Sequence, residues 1–376
     1  MEFDRTGVAG RAATADDAVG GVLPRWVALP ESTEEISAVL RACAERDLAV
    51  VPVGGGTKLH WGAPPERCDV LLDLCCMNDV VEHAAGDLVV RAQAGLAMSA
   101  LAEHLAEAGQ ELALDPPMAA EGATVGGTLA TAVAGPRAFR YGTARDLLIG
   151  ITVVLADGTI AKAGGKVVKN VAGYDLGKLF TGSYGTLGVI AEATFRLHPL
   201  PADRRWIVAR SPRAEVGALA LALAASQAEP SAVEIDAEGA EAEVAVLVEG
   251  SAAGQRAEAL NLVIKGAIST APPAWWGVVE DDGTLLEVRC PPTGVDAVLG
   301  SGLPLRGSAV AGRFWSRAGA DGVHRLRELG ARVSVLAAPY AIDRWGEVGA
   351  LPLMRRVKER FDPGRRMSPG RFVGGV

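Results

Sequence analysis

The chain of 376 residues carries 37 lysines and arginines against 45 aspartates and glutamates, and its net charge of −8 argues against a nucleic-acid partner. Its length predicts two domains, or three, with ample material for a buried core. The densest apolar run, Val216 to Ala225, is too short to span a bilayer and no signal-peptide pattern is present, so we expect a cytoplasmic protein.

The first predicted elements lead to a glycine-rich loop. Residues 1–24 are rich in Gly, Ala and Asp without periodicity, and we expect a loose arm there. Ser32 and Glu35 fit a capping box, and the apolar positions of the following helix fall on one face (Ile36, Val39, Leu40 and Cys43). A strand from Leu48 to Val53 then delivers the chain into three glycines.

The glycine-rich loop predicts a cradle for a diphosphate. Three consecutive glycines at 54–56 are followed by Thr57 and Lys58. Glycine adopts positive φ freely, so successive N–H groups can turn toward one anion, and each charge-assisted bond contributes about 1.5 to 3 kcal/mol. The spacing matches neither the dinucleotide fingerprint that opens a helix nor the P-loop. A plain β-turn after the strand is the alternative.

Further elements lead to a second stretch of small residues. Strands are predicted at 70–74, 88–92 and 112–114, with a helix at 99–108. Small side chains then fill 123–131, which indicates either a bulky ligand against the backbone or tight helix packing. Ile149 to Leu155 and Thr159 to Ala163 form a predicted hairpin around Asp157 and Gly158.

Three separated segments together resemble the FAD-binding domain of the vanillyl-alcohol oxidase/p-cresol methylhydroxylase (PCMH) superfamily. They are Pro-Val-Gly-Gly-Gly-Thr at 52–57, Thr-Val-Gly-Gly at 124–127 and Gly-Ser-Tyr-Gly-Thr-Leu-Gly-Val-Ile at 182–190. Within that superfamily, Lys169 to Leu176 and the closing run Phe361 to Phe372 look most similar to the glycolate oxidase FAD-binding subunit. In that family a smaller flavin-domain subunit accompanies a larger flavin subunit and an iron–sulfur subunit.

The resemblance implies an α+β protein with four segments. Residues 1–24 are the arm, 25–201 a two-subdomain PCMH-type FAD-binding domain, 202–350 a cap-like domain, and 351–376 a helix and tail that return to the FAD domain. The strand–helix–strand order after Arg204 itself predicts an antiparallel α+β layer of two split βαβ units, since a related order recurs from Leu285 to Leu336.

The resemblance also implies FAD as the cofactor, with named contacts. Pro52, Gly54, Gly55, Gly56 and Thr57 would hold the pyrophosphate, and Lys58, unless it is a solvated loop lysine, would add a positive charge. The path of the cofactor would be lined by Pro116, Thr124, Gly126, Gly127, Ala130, Thr131, Gly135, Tyr141 and Gly142. Val189 and Ile190 would pair by backbone with a flavin ring edge. Some relatives attach FAD through a histidine where Thr57 stands, so we expect non-covalent FAD.

The catalytic residues stay unassigned. Oxidising a 2-hydroxy acid at a flavin requires a base for the hydroxyl proton and a cation for the carboxylate. Only one histidine, His324, follows the FAD-binding segment, and we expect it to serve packing or the surface. Candidate carboxylate-binding cations are Arg140, Arg145 and Arg313, and Tyr141, Tyr174 and Tyr184 are candidate substitutes for a histidine base.

The cysteines and histidines argue against a metal centre. The five cysteines contain no Cys-x-x-Cys pair (Cys43, Cys68, Cys75, Cys76 and Cys290), and no His-x-His or His-x-x-His occurs. This pattern disfavours an iron–sulfur cluster, a zinc site or a disulfide framework. We predict no metal ligands and expect most cysteines to be small core residues.

Three functions remain open from the sequence. The first is an FAD-binding redox subunit of a glycolate-oxidase-like complex, in which a larger flavin subunit and an iron–sulfur subunit are partners, a small hydroxy acid is the substrate, and the inner face of the membrane is reached only through those partners. The second is a self-sufficient FAD-dependent oxidase or dehydrogenase. The third is a scaffold subunit whose flavin does not turn over.

Overall fold

The computed structural model describes residues 6–165, 175–281 and 283–376. The chain divides into two compact units. The first comprises residues 1–134, 143–199 and 348–376, and the second comprises 135–142 and 200–347. Most of the Lys169 to Leu176 motif, including Tyr174, lies outside the described residues.

The strands of the first unit form two main sheets. They are β1 (Ala9–Ala12), β2 (Trp26–Leu29), β3 (Val50–Val53), β4 (Val70–Asp73), β5 (Val80–Ala84), β6 (Val89–Gln93), β7 (Gln110–Glu111), β8 (Leu148–Leu155), β9 (Ile160–Gly164), β10 (Gly188–Arg196) and β11 (His198–Pro199). One sheet has the order β1-β2-β4-β3, with β2, β4 and β3 parallel. The other is antiparallel with the order β5-β6-β10-β8-β9, and β7 pairs with β11.

Helices occur in both units. In chain order they are α1 (Thr33–Glu45), α2 (Met98–Glu107), α3 (Val125–Thr131), α4 (Ala138–Tyr141), α5 (Ala144–Leu147), α6 (Leu176–Phe180), α7 (Val216–Ala224), α8 (Ala253–Ile264), α9 (Val295–Leu299), α10 (Ala320–Glu328) and α11 (Leu351–Phe361). Of these, α4 and α7 to α10 belong to the second unit. Short 3₁₀ helices occupy Ala15–Asp17, Ala85–Asp87, Arg213–Glu215, Pro292–Gly294 and Val373–Gly375.

The predicted loose arm at residues 1–24 is wrong for the part that the structure describes. Strand β1 pairs antiparallel with β2, with Ala9 opposite Leu29. Val19 is 1% exposed and belongs to an apolar cluster with Val27 and Val51. Burial of these side chains orders a segment whose own sequence shows no periodicity.

Helix α1 begins as predicted, although its capping box is only half formed. The Ser32 hydroxyl accepts a hydrogen bond from the backbone N–H of Glu35. The carboxylate of Glu35, however, accepts from the N–H of Glu31 rather than from that of Ser32. The expected apolar face is buried (Ile36, Val39, Leu40 and Cys43). Periodicity and one cap thus fix this helix.

The second unit contains an eight-stranded antiparallel sheet built from two copies of one motif. Its strands are β12 (Arg204–Pro212), β13 (Ala232–Glu238), β14 (Glu241–Glu249), β15 (Ala267–Ser269), β16 (Leu285–Arg289), β17 (Leu305–Ser308), β18 (Arg313–Ser316) and β19 (Arg332–Ala337). The order β15-β12-β14-β13-β17-β18-β16-β19 joins two four-stranded halves through β13 and β17. Each half runs strand, helix, two strands, helix, strand, which confirms the predicted α+β layer and its recurrence.

The core of the second unit lies between this sheet and its helices. Ile207, Val246 and Phe314 from the strands are fully buried together with Leu223 of α7 and Leu260 of α8. Packing against this hydrophobic layer explains why the alanine-rich α7 forms a helix.

The carboxyl-terminal helix α11 and the tail belong to the first unit. The N–H of Ser368 donates to the carbonyl of Val50, and Met367 forms a parallel bridge with Val50 at the start of β3. The α+β class with a returning terminal helix is therefore confirmed. No helix in the described parts of the chain is long and apolar enough to cross a membrane.

Candidate cofactor-binding site

A cleft of about 790 Å³, counting the space open to solvent, lies in the first unit. The end of β3, the glycine loop, α3, the turn at 183–185 and the tail residue Arg371 form its walls. Most of the predicted site residues line this one cleft: Pro52, Gly54, Gly55, Gly56, Thr57, Lys58, Thr124, Gly126, Gly127, Ala130, Thr131 and Ile190.

The glycine loop is packed so closely that side chains would collide. A Cβ on Gly55 would stand 1.9 Å from the carbonyl oxygen of Gly122, and a Cβ on Gly54 would stand 2.2 Å from the Thr124 hydroxyl. Gly56 has φ +71, a conformation that favours glycine. The loop thus presents bare backbone at the cleft, as a phosphate cradle requires.

Helix α3 contributes the facing wall. The Thr124 hydroxyl caps it by accepting from the N–H of Gly127 at 3.2 Å. A Cβ on Gly126 would stand 2.8 Å from the Cβ of Ala94, and the N–H of Gly126 donates to the Ala94 carbonyl. Tight packing against Ala94 is therefore enough to explain the glycine at position 126. This supports tight helix packing, rather than a bulky ligand, as the reason for the small residue there.

Lys58 brings a buried positive charge to the cleft. The residue is 7% exposed, and its Nζ lies 3.3 Å from the Thr57 hydroxyl and 5.8 Å from the centre of the Trp61 ring. Among the described residues, no carboxylate lies within 4.0 Å of this ammonium. Burial lowers its pKa to about 8, while the more distant charge of Glu121 raises it. The solvated-loop alternative for Lys58 is wrong, and an anionic ligand suits this uncompensated cation.

Sequence reasoning missed a second cation, Arg371. Its guanidinium is buried, lines the cleft, and donates through Nη2 to the carbonyls of Leu59 and Trp61. Burial lowers its pKa to about 10. This arginine fixes the segment that follows Lys58. Arg371 lies in the tail, far along the sequence from the glycine loop. The sequence signal for it was therefore limited to the closing run Phe361 to Phe372, which resembles the family.

Five predicted contacts lie elsewhere. Pro116 is buried but does not line the cleft. Val189, in β10, is also buried and pairs with Val154 of β8. Gly135, Tyr141 and Gly142 belong to the second unit.

The buried ion pair between Arg137 and Glu249 explains why the segment around Tyr141 groups with the second unit. Nη2 of Arg137 lies 3.1 Å from the carboxylate of Glu249 on β14, with both side chains under 10% exposed. The same carboxylate lies 2.9 Å from Nε of Arg204. The guanidinium of Arg137 also stacks 4.8 Å from the Tyr141 ring. These contacts hold residues 135–142 to the sheet of the second unit.

The carboxylate-binding candidates are engaged or exposed. Arg140 lies 3.6 Å from the carboxylate of Glu229, and Arg313 lies 3.1 Å from that of Glu287. Burial lowers the pKa of Arg313, although the charge of Glu287 opposes this shift. Arg145 is exposed in α5, and His324 is exposed in α10. No described contact brings these residues together into a substrate site.

The cysteines differ from the expectation. Only Cys43 and Cys68 are buried, whereas Cys75 and Cys76 are exposed and Cys290 is half-buried. Within the described ranges, no three His, Cys, Asp or Glu residues are arranged to hold a metal ion.

Comparison with known proteins identifies the domain. The family model "FAD binding domain" matches residues 24–164. The mitochondrial D-lactate dehydrogenase (cytochrome) 1 of Saccharomyces cerevisiae is 40% identical over 181 residues, 47% of this chain and 30% of that protein. Glycolate oxidase subunit GlcD of Bacillus subtilis is 37% identical over 187 residues, 50% of this chain and 40% of that protein. Mitochondrial D-2-hydroxyglutarate dehydrogenase of Bos taurus is 39% identical over 173 residues, 46% of this chain and 31% of that protein.

The match to these relatives is partial, whereas the fold match is nearly complete. The aligned regions span well under half the length of each relative. A solved structure of alkyldihydroxyacetonephosphate synthase superposes with a TM-score of 0.68 at 19% identity, covering 93% of this chain and 76% of that structure. The chain therefore carries an FAD-binding domain at residues 24–164, and its likeness to the synthase is one of fold.

Proposed function

We propose that this chain is an FAD-dependent oxidoreductase of 2-hydroxy acids, acting as the FAD-binding redox subunit of a glycolate-oxidase-like complex. The observation that carries the proposal is the cleft, in which close-packed glycines and the buried ammonium of Lys58 face the same space. Relatives named for D-lactate, glycolate and D-2-hydroxyglutarate support the substrate class.

The residues present fit the cofactor. Backbone N–H groups of Gly54, Gly55 and Gly56 would bind the pyrophosphate, and Lys58 would balance part of its charge. Arg371 would hold the segment after Lys58 in place. When bound, FAD would accept the hydride that leaves the α-carbon of the hydroxy acid, while a base takes the hydroxyl proton.

FAD would be held without a covalent bond, since Thr57 offers no ring nitrogen to the flavin. Precipitation of the holoprotein with trichloroacetic acid tests this point. The yellow colour is expected in the supernatant. Colour that stays with the pellet would contradict non-covalent binding.

The scarcity of histidine supports a partner in catalysis. His324 is the only histidine after residue 198 and is exposed. A base for the hydroxyl proton would then come from a larger flavin subunit, and an iron–sulfur subunit would carry electrons onward. We also propose that the complex is cytoplasmic and reaches the inner face of the membrane through these partners, which fractionation of cells expressing the whole complex would test.

A second candidate is a self-sufficient dehydrogenase, favoured by the position of Tyr184. This residue lines the cleft, stacks on Phe372 with ring centres 5.3 Å apart, and has φ +54. A non-glycine residue is uncommon in that conformation, which makes Tyr184 a candidate functional residue. Tyr184 could then supply the phenolic oxygen that accepts the proton.

An anaerobic visible spectrum separates these functions. The flavin-loaded chain is mixed with glycolate or D-lactate, first alone and then with the candidate partner subunits. Bleaching only when partners are present is the result that the redox-subunit proposal predicts. Bleaching by the isolated chain would establish the self-sufficient enzyme, and a flavin that stays oxidised in the complete, active complex would establish a scaffold.

A further inference from the structure

Two adjacent thiols, Cys75 and Cys76, stand together at the exposed turn after β4. Their Sγ atoms are 3.7 Å apart, and both residues are exposed. The structure assigns to this pair a binding site for trivalent arsenic that carries two exchangeable hydroxyl groups. The inference does not depend on the cofactor or on the proposed activity.

The turn that presents the thiols is held by its backbone. The N–H of Cys75 donates to the carboxylate of Asp73 at 3.0 Å. The N–H of Leu74 donates to Val53, and that of Met77 donates back to Leu74, each at 2.9 Å. Met77 is fully buried. The two sulfur atoms therefore project from a fixed support rather than from a free loop.

The separation of the sulfurs suits a bridging atom better than a direct bond. Two bonds of about 2.3 Å, the length of a zinc–sulfur bond, that meet on one atom at about 90–110° hold their sulfurs about 3.3–3.8 Å apart. A disulfide instead needs about 2.05 Å, and usually Cα atoms at least ~4.4 Å apart, whereas consecutive Cα atoms across a trans peptide are about 3.8 Å apart. No cis peptide occurs in the described chain. Direct oxidation of the pair would therefore be strained.

The number of ligands that this turn offers limits which kind of atom the two sulfurs can bind. Within the described residues no third His, Cys, Asp or Glu completes a metal site here, so a cation that needs four ligands is poorly served. Trivalent arsenic with one organic substituent is soft and requires only two sulfurs.

The chemistry also matches the protonation of Cys75. Partial shielding of the Cys75 sulfur from water, followed by the charge of Asp73, raises the pKa of Cys75 to about 12, so this sulfur is a thiol at neutral pH. Each As–OH group exchanges with one S–H, forming an As–S bond and releasing one water. Two such exchanges bind the arsenic, and neither an oxidant nor a reductant is required.

Phenylarsine oxide, which hydrates to the dihydroxy form, is the probe. The full chain is treated with one equivalent, rinsed with a monothiol, and examined by intact mass and by thermal unfolding. Wild type and Cys290→Ser are expected to keep one phenylarsenic group and to show a higher Tm, because the ligand binds the folded turn better than the unfolded chain. A dithiol should remove the group.

The matched variants Cys75→Ser and Cys76→Ser should each lose the monothiol-resistant adduct and the rise in Tm. Retention of the adduct by either variant would overturn the assignment. An adduct in wild type with an unchanged or lowered Tm would also overturn it, because any adjacent cysteines in an unfolded chain could then bind as well.

Discussion

The ammonium of Lys358 donates a hydrogen bond of 2.8 Å to the carboxylate of Asp362, and both side chains are at most 4% exposed. The same ammonium donates to the carbonyls of Thr186 and Met367 at 2.7 and 2.8 Å. The carboxylate of Asp362 also accepts hydrogen bonds from the backbone N–H groups of Arg366 and Met367. One ion pair thus joins the last helix, the tail and the turn that precedes β10.

Removing this pair should destabilise the first unit. Lys358→Met leaves the Asp362 carboxylate buried without its cation, and breaking a buried pair typically costs about 3–5 kcal/mol. Urea unfolding should show this loss in the free energy of unfolding. The control is Lys178→Met, whose exposed pair with Asp175 at 3.5 Å should contribute no more than about 1 kcal/mol. Equal effects of the two substitutions would contradict the role given to Lys358.

A single methyl group in the glycine loop should weaken cofactor binding. In Gly55→Ala the new Cβ would lie 1.9 Å from the Gly122 carbonyl, so the loop must move away from the cleft wall. We expect FAD affinity, measured by fluorescence quenching, to fall at least about tenfold, equivalent to about 1.4 kcal/mol. Gly86→Ala, which places its Cβ in open space in the same unit, should bind as wild type does. Undiminished affinity in folded Gly55→Ala would contradict the cradle.

The charge on Lys58 should make FAD binding depend on pH. Its pKa is about 8 in the free protein, so below that pH the ammonium is present and above it a proton must be taken up on binding. The FAD Kd should therefore be constant below about pH 8 and rise by up to about tenfold per unit above it. Lys58→Arg should flatten the profile, because arginine stays charged. Lys162→Met, at an exposed position of β9, should keep the wild-type profile. A flat wild-type profile would rule out Lys58 as a phosphate ligand.

The same shift predicts the pH dependence of the apoprotein. Because the folded pKa of Lys58 lies below the usual 10.5, the unfolded chain binds more protons between those values. The contribution of Lys58 to the free energy of unfolding should therefore rise with pH from about 8 to about 10.5. Lys58→Met removes the ammonium, so the part of the rise in the free energy of unfolding that Lys58 contributes should be lost.

Arg371 should act on the cofactor through the loop it holds. Arg371→Met leaves the carbonyls of Leu59 and Trp61 without their donor, and each unsatisfied buried group costs about 1–3 kcal/mol. We expect a lower Tm and weaker FAD binding. Arg365→Met removes an exposed arginine whose side chain donates to the Gly375 carbonyl, and it should change neither the Tm nor FAD binding. If Arg371→Met bound FAD as wild type does, the loop would not need this support.

Local sequence signals predicted the parts of the fold that local physics determines. The cap and apolar face of α1 and the glycines at 54–56 could be read directly, because each depends on neighbouring residues. Strand β1 could not be predicted, since its order depends on pairing with β2 and on the burial of Val19. The predicted strand at 112–114 instead lies at Gln110–Glu111, where the pairing partner is His198–Pro199 of β11.

The residues of the cleft divide in the same way into those that local sequence predicts and those that depend on distant parts of the chain. Residues contributed by the glycine-rich segments were predictable, because small side chains in series are themselves a signal. Arg371 was not, because its bonds to Leu59 and Trp61 join positions more than 300 residues apart. The grouping of Tyr141 with the second unit follows from the ion pair of Arg137 and Glu249, which no local pattern indicates.

The central claim, that the cleft of this chain binds FAD, is tested most directly by titrating FAD into the deflavinated wild-type protein at pH 7. The quenching of flavin fluorescence should saturate at one FAD per chain, with circular dichroism showing a folded α+β protein throughout. A folded protein that shows no saturable binding of FAD would contradict the account.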